Sequence, residues 1–422
     1  MSHKVKGRKL HRRGSGVFNK NARKKAILKN IGLVCLALLM IPAGFLAAKF
    51  IMEDNPDSQT ELTSAVNADP SSNPSAAVTT PATTVKPIPA TPQGSLRTFY
   101  LPFSRLTQAD FPDAVLDDAT AAGFNAVLFD LKDDKGVLHY DSQTQSAQQS
   151  KAASDNAVTT QELKEILQKL EGKGFTAIGR IFAFRDPTAP SNLPSAKITL
   201  EDYPTYTWLD NSRDKGGKPW LNPYAPDAHN YIIGIAKELS DIGFTSIMLD
   251  GVQFPNQTSQ AYYGNSELRS LSPLEVLKKF TGDLCTAVGD GCRVIHTVPG
   301  LSAFKDGTEP FGGNPVTFGA DTLAPVLLPS TLGNKLRVGE TTVSNPKESP
   351  YDAVKLATGQ IKLRVQLMEQ QPDIMPWLQA FEYNSQQINQ QITAVKETIG
   401  KDFSFILYNP DGSYDFDAIN IL

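Results

Sequence analysis

Pro219-Trp220-Leu221-Asn222-Pro223-Tyr224-Ala225-Pro226-Asp227, running on to Ile247-Met248-Leu249-Asp250-Gly251-Val252-Gln253-Phe254-Pro255, decides how this chain folds. Pro226 suits the first turn of a helix, where its missing N–H would have no partner anyway. Ile232, Ile235, Ala236 and Leu239 follow at helical spacing, and Gly243 closes the helix. Phe244-Thr245-Ser246-Ile247-Met248-Leu249 is then a short apolar run bounded by turn residues, as a buried parallel strand requires. Asp250 is left as a lone acid where that strand meets solvent. Such an acid either caps backbone N–H groups or faces a ligand.

Outward from this unit, apolar runs and amphipathic stretches alternate. The pattern predicts strands at Arg97 to Leu101, Ala126 to Leu131, Ala177 to Phe182, Ser246 to Leu249, Arg293 to Val298, Ala324 to Leu328, Ile374 to Leu378 and Phe403 to Tyr408. Helices are expected at Pro112 to Ala122, Gln161 to Lys173, Pro226 to Ile242, Ser272 to Val288, Tyr351 to Gln370 and Ser385 to Ile399. Ser272-Pro273-Leu274-Glu275 carries a capping box. Eight strands over this length imply an α/β fold, a (β/α)8 TIM barrel occupying residues 96–422. An open, doubly wound sheet is the alternative, but no glycine-rich phosphate fingerprint follows the first strand.

The N-terminal quarter is of another kind. Residues 1–30 hold eleven Lys and Arg and no acid, against a net charge of −3 for the whole chain. Residues 31–52 follow as an apolar run, and its first eighteen residues would span about 27 Å as a helix, close to a bilayer core. A cleaved signal peptide is the competing reading, but its basic region is normally short and a small-residue cleavage site should follow. One transmembrane helix is therefore expected, with a cytoplasmic N-terminus and an extracellular C-terminal domain. Residues 53–95 are rich in Ser, Thr, Pro and Ala and predict a disordered linker. No nucleic-acid partner is expected. No Cys/His cluster has metal-ligand spacing, so neither metal nor cofactor is expected. Cys285 and Cys292 are open to either a local disulfide or two buried thiols.

The longest irregular stretches, Arg185 to Pro219, Gly251 to Leu271, Pro299 to Asp321 and Pro329 to Pro350, all leave C-terminal strand ends, the face where barrel enzymes build their sites. Tyr203, Tyr206, Trp208, Tyr262 and Tyr263 lie there, either stacking on a ligand or closing small cores. Asp130 and Lys132 close the second strand, and two residues apart they share a face and could pair in a structural salt bridge. Paired carboxylates flanking a scissile bond are the requirement of glycoside hydrolysis. Asp250 is the natural first carboxylate, and Asp130, Glu382, Asp321 and Glu340 are all placeable on the same rim. No serine elbow, zinc motif or phosphate loop competes.

Several stretches together carry a family resemblance: Asn125 to Asp134 with Tyr140-Asp141-Ser142, Ile178-Gly179-Arg180-Ile181 with Phe184-Arg185-Asp186-Pro187, Trp220 to Tyr224, Leu249 to Pro255, Pro376 to Gln379 and Tyr408-Asn409-Pro410. In this order the chain resembles a bacterial family of TIM-barrel glycoside hydrolases, distantly akin to the alpha-amylase-like barrels. The resemblance implies a carbohydrate-active barrel with Asp250 on the nucleophile strand. The chain departs from the family pattern at Gln253, where Arg is usual, at Thr297, where an acid is usual, at Leu328-Pro329-Ser330-Thr331, where Tyr-Pro-Ser-His is usual, and at Ala380, where Asp is usual.

The expected function is a membrane-anchored glycoside hydrolase acting on a cell-envelope or extracellular polysaccharide. Asp250 is its nucleophile or base and Asp130 or Glu382 its catalytic partner, with Lys132, Arg180, Asn222, His296, Trp377, Gln379 and Asn409 binding substrate. A catalytically impaired barrel that binds glycan or serves as a structural envelope protein is the alternative.

Overall fold

The computed structural model describes residues 94–421 except 257 and 305–308. Eight parallel strands close on themselves: β1 Arg97–Tyr100, β2 Ala126–Lys132, β3 Thr176–Phe182, β4 Ser246–Asp250, β5 Arg293–Pro299, β6 Thr322–Val326, β7 Trp377–Gln379 and β8 Phe405–Tyr408. Each pairs with its sequence neighbours and β1 pairs with both β2 and β8, so the eight-stranded barrel is closed and the predicted barrel is the observed one. Six long helices pack outside it: α1 Asp113–Ala121, α2 Thr160–Gly172, α3 Pro226–Ile242, α4 Pro273–Val288, α5 Pro350–Gln366 and α6 Ser385–Ile399. Between β5 and β6 the described residues form only a turn of helix, Gly300–Ala303, and two 3-10 turns.

Local chemistry sets these bounds. At α4 the Ser272 hydroxyl accepts the Glu275 N–H and the Glu275 carboxylate accepts the Ser272 N–H, satisfying two donors that helix geometry leaves open. Alternation along the strands separates two cores. Leu128, Ile178, Met248, Ile295, Ala324, Met375 and Ile406 fill the barrel, while Phe129, Ile181, Ile247, Leu249 and Val294 face the helices. The sixth strand starts and ends two residues earlier than predicted, at Thr322 and Val326, and the Thr322 hydroxyl is buried. The seventh is broken: Asp373–Ile374 pairs with β6 below Met375 and Pro376, and Trp377 pairs above.

Among the described residues no helix is long and apolar enough to cross a membrane, and the expected span at 31–52 lies outside them, as does nearly all of the expected linker at 53–95. The loops after β3 and β4 hold each other through a short antiparallel pair, Thr199–Leu200 against Ala261–Tyr262. Beneath it Trp208 and Trp220 are buried with Ile198, and Tyr263 packs on them. Those rings build a small core, while Tyr203 and Tyr206 remain exposed.

Candidate active site

Asp130 and Arg180 stand directly opposite each other in the parallel register of β2 and β3, both at the barrel mouth. Arg180 holds Asp130 with two parallel bonds, Nε to Oδ1 at 2.5 Å and Nη2 to Oδ2 at 3.0 Å, the fork geometry that guanidinium and carboxylate share. The Tyr100 hydroxyl donates to the same Oδ2 at 3.0 Å. The remaining Arg180 nitrogen, Nη1, reaches toward Asp250 Oδ2 at 3.6 Å. One guanidinium thus links both carboxylates, which places them no farther apart than the roughly 9.5 Å over which paired glycosidase carboxylates act.

Burial works against the Arg180 charge, but Asp130, and Asp250 more weakly, hold it protonated. Asp250 moves the other way. Burial raises its carboxyl above the usual carboxylate range, and neither Arg180 nor the Gly251 N–H, which donates to Oδ1 at 2.7 Å, cancels that. Its side chain remains 23 % exposed against 15 % for Asp130, so Asp250 is the more open acid of the pair. Aromatic rings wall the mouth. Trp377 and Phe182 each lie 5.1 Å from the Arg180 guanidinium, and Tyr408 packs on Tyr100 and Trp377. Trp377 Nε1 and Thr297 Oγ1 are buried without a hydrogen-bond partner among the described residues.

Gly251 adopts φ +63°, a conformation L side chains rarely take, and a Cβ there would come within 3.2 Å of Arg185 Cβ. Gly251→Ala is expected to cost about 1–3 kcal/mol, read as a lower denaturant midpoint.

The other expected site residues lie elsewhere. A register shift between Asp130 and Lys132 inserts one residue into β2, so Lys132 turns outward instead of sharing a face with Asp130. It is fully buried, 2.8 Å from Asp186 Oδ2, and its ammonium donates to the Phe182 carbonyl, out of reach of substrate. Glu382 follows the end of β7 in a left-handed turn, φ +59°, which undoes its strand parity; its carboxylate is 61 % exposed and pairs with Lys347. With Asn409 it lines a cavity of about 370 Å³ beside β7 and β8, whose lining includes neither Asp250 nor Arg180. Asn222 is buried, donating to the Tyr263 carbonyl and accepting from the Tyr224 N–H. Gln379 is fully buried among the Ser330 N–H, the Phe381 carbonyl and Gln391.

His296 lies on the outer face of β5, stacked on Phe318 at 4.9 Å, because its inward-facing neighbours are Ile295 and Thr297. Burial pushes its imidazole down to about 3. Below the ordinary value of 6.5 the unfolded chain binds a proton that the folded chain refuses until about pH 3. Through that window stability should fall by about 1.4 kcal/mol per pH unit from this group. His296→Leu is expected to flatten the acid limb, which denaturant midpoints at pH 7 and pH 4.5 would measure.

Tyr100 was not among the expected site residues, and its place opposite Leu128 on the neighbouring strand is the only hint of its role that a correct alignment of strands could have supplied. Asp134 and Arg185, also unexpected, meet at the rim, Nη2 to Oδ2 3.5 Å.

Residues 98–414 match a family described as "Putative glycosyl hydrolase domain". No curated protein matches the chain. Among solved structures it is similar to a hypothetical protein from Ruminiclostridium thermocellum ATCC 27405, 24 % identical over 47 % of this chain and 96 % of that one, TM-score 0.41. It is also similar to alpha-L-fucosidase isoenzyme 2 from Paenibacillus thiaminolyticus, 11 % identical, TM-score 0.50, covering 77 % of this chain but only 47 % of that one. A third is the catalytic domain of a beta-amylase from Paenibacillus polymyxa, 10 % identical over 78 % of this chain and 95 % of that one, TM-score 0.47. At 11 % identity the likeness to the fucosidase speaks to the fold alone.

Proposed function

The chain belongs to this glycosyl hydrolase family, and from that premise we propose that it hydrolyses glycosidic bonds in a polysaccharide, with Asp250 as the proton donor. Asp250 carries the assignment: it sits at the C-terminal tip of β4, partly open to ligand, and its environment favours the protonated form. A carboxyl so placed can protonate a leaving glycosidic oxygen. Asp130, whose two oxygens are both engaged, keeps the Arg180 charge beside it, and the partly exposed Tyr408 offers a ring to a sugar.

The substrate we propose is a cell-envelope or extracellular polysaccharide, with the domain held outside the membrane by an anchor at 31–52. The apolar run and its basic flank support this. Protease added to intact cells should then remove residues 96–422; protection of the domain until lysis would contradict it.

A second reading is a barrel that binds glycan without cleaving it. It is favoured by the full engagement of Asp130 and by the threonine at position 297, which has no acidity to offer the mouth. The full chain incubated with cell-wall and extracellular glycans separates the two. Release of reducing ends supports hydrolysis; retention of glycan with no new ends supports binding.

A further inference from the structure

The buried Lys132–Asp186 pair joins two loops of the barrel rim, and each loop carries an exposed charged residue beside its buried anchor. Both partners are wholly buried, their charged atoms 2.8 Å apart though off the angle of a hydrogen bond. Asp186 Oδ1 accepts the Thr188 and Ala189 N–H groups, fixing the start of the loop after β3. In the loop after β2, Asp133 and Gly136 close a tight turn, and Gly136, at φ +76°, lies so close to Asp186 that a Cβ would overlap its carboxylate. Asp133 is consumed by that turn: it accepts the Lys135 and Val137 N–H groups and faces His139 at 3.4 Å.

Asp134 is not consumed. It projects from the turn with its side chain 48 % exposed and meets Arg185, 53 % exposed, from the other loop. Arg185 in turn packs its Cβ against Gly251, the residue after Asp250, while the Phe184 N–H donates to the Gly251 carbonyl. Through Arg185, Asp134 is thus tied to the residue that follows Asp250 at the end of β4.

We propose that Asp134 is the second catalytic carboxylate, the base that activates water opposite Asp250, with Arg185 as the residue that positions it. The assignment rests on the hydrolytic reading above and completes it. Asp250 gives its proton to the glycosidic oxygen as the bond from that oxygen to the anomeric carbon breaks, the electron pair leaving with the oxygen. Asp134 takes a proton from water as the water oxygen bonds to the same carbon. One water is consumed, two hydroxyl-ended glycans leave, and solvent returns the proton from Asp134 to Asp250. Attack from the face opposite the leaving group inverts the anomeric centre.

The test is turnover by the full chain on whichever glycan of the panel releases reducing ends, comparing wild type, Asp134→Asn and Asp134→Ala. Both variants are expected to keep the wild-type melting temperature and lose about 10²–10⁴-fold in kcat. Sodium azide should restore turnover to Asp134→Ala by entering the space of the missing carboxylate, and the product should be a glycosyl azide of inverted configuration. Turnover within a few-fold of wild type in both variants, or loss without any azide product, would overturn the assignment while leaving Asp250 in place. A wild-type chain that turns over no glycan would overturn both.

Discussion

Asp186→Ala is expected to lower the unfolding free energy by about 3–5 kcal/mol, because it leaves the Lys132 ammonium buried without its counter-charge. The ammonium would keep one hydrogen bond, to the Phe182 carbonyl at 2.7 Å, and a distant Tyr231 ring at 5.6 Å, neither of which replaces a carboxylate. Two N–H groups would also lose their acceptor, at about 1 kcal/mol each. The double variant Asp186→Ala, Lys132→Met separates these contributions. Removing the charge should recover more than half of the loss, and the remainder belongs to the loop. Denaturant unfolding measures both, and a single variant within about 0.5 kcal/mol of wild type would show that the pair is not holding the loops together. The same variant is expected to weaken catalysis, since Asp134 and Arg185 take their places from this anchor.

How far the sequence reached depended on whether local pattern alone decides an element. The apolar run ending at Leu249, the proline and glycine bounding α3, and the capping box at Ser272 are all local, and each appears where the spacing puts it. So does the barrel, which follows from eight such strands. Parity across a bulge is different: one inserted residue between Asp130 and Lys132 reverses every side chain after it, and nothing in Asp130-Leu131-Lys132 announces the insertion. Glu382 fails for the same reason, its alternation interrupted by a left-handed turn. The outward placement of His296 was readable, since Ile295 and Thr297 flank it on the strand and only one of the two sets can face the barrel. Arg180 was marked as a polar residue inside a strand, but its two partners come from β2 and β4, and only the closed barrel brings those strand ends together. Asp134 and Arg185 stood in the stretches that carry the family resemblance, yet their meeting depends on the buried Lys132–Asp186 pair, whose partners lie in different loops.

Asp250→Asn is expected to abolish glycan cleavage, by about 10²–10⁴-fold or more, because an amide cannot donate the proton that the carboxyl gives. The fold should not suffer. With its folded-state value raised, Asp250 favours the native state when protonated, and that advantage is lost as pH rises from the ordinary carboxylate value through the raised one. The ionised form of Asp250 therefore costs the native state more than it costs the unfolded chain. Asparagine removes it while Arg180 keeps its bidentate hold on Asp130. The variant should melt at or above the wild-type temperature at pH 7, and the difference should narrow below about pH 4, where the unfolded carboxyl is protonated as well. The decisive measurement is reducing-end release by wild type and Asp250→Asn side by side on the same glycan, with melting temperatures taken on the same preparations. Loss of release in a variant at least as stable as wild type is the predicted result; equal release by the two would contradict a role for Asp250 as proton donor.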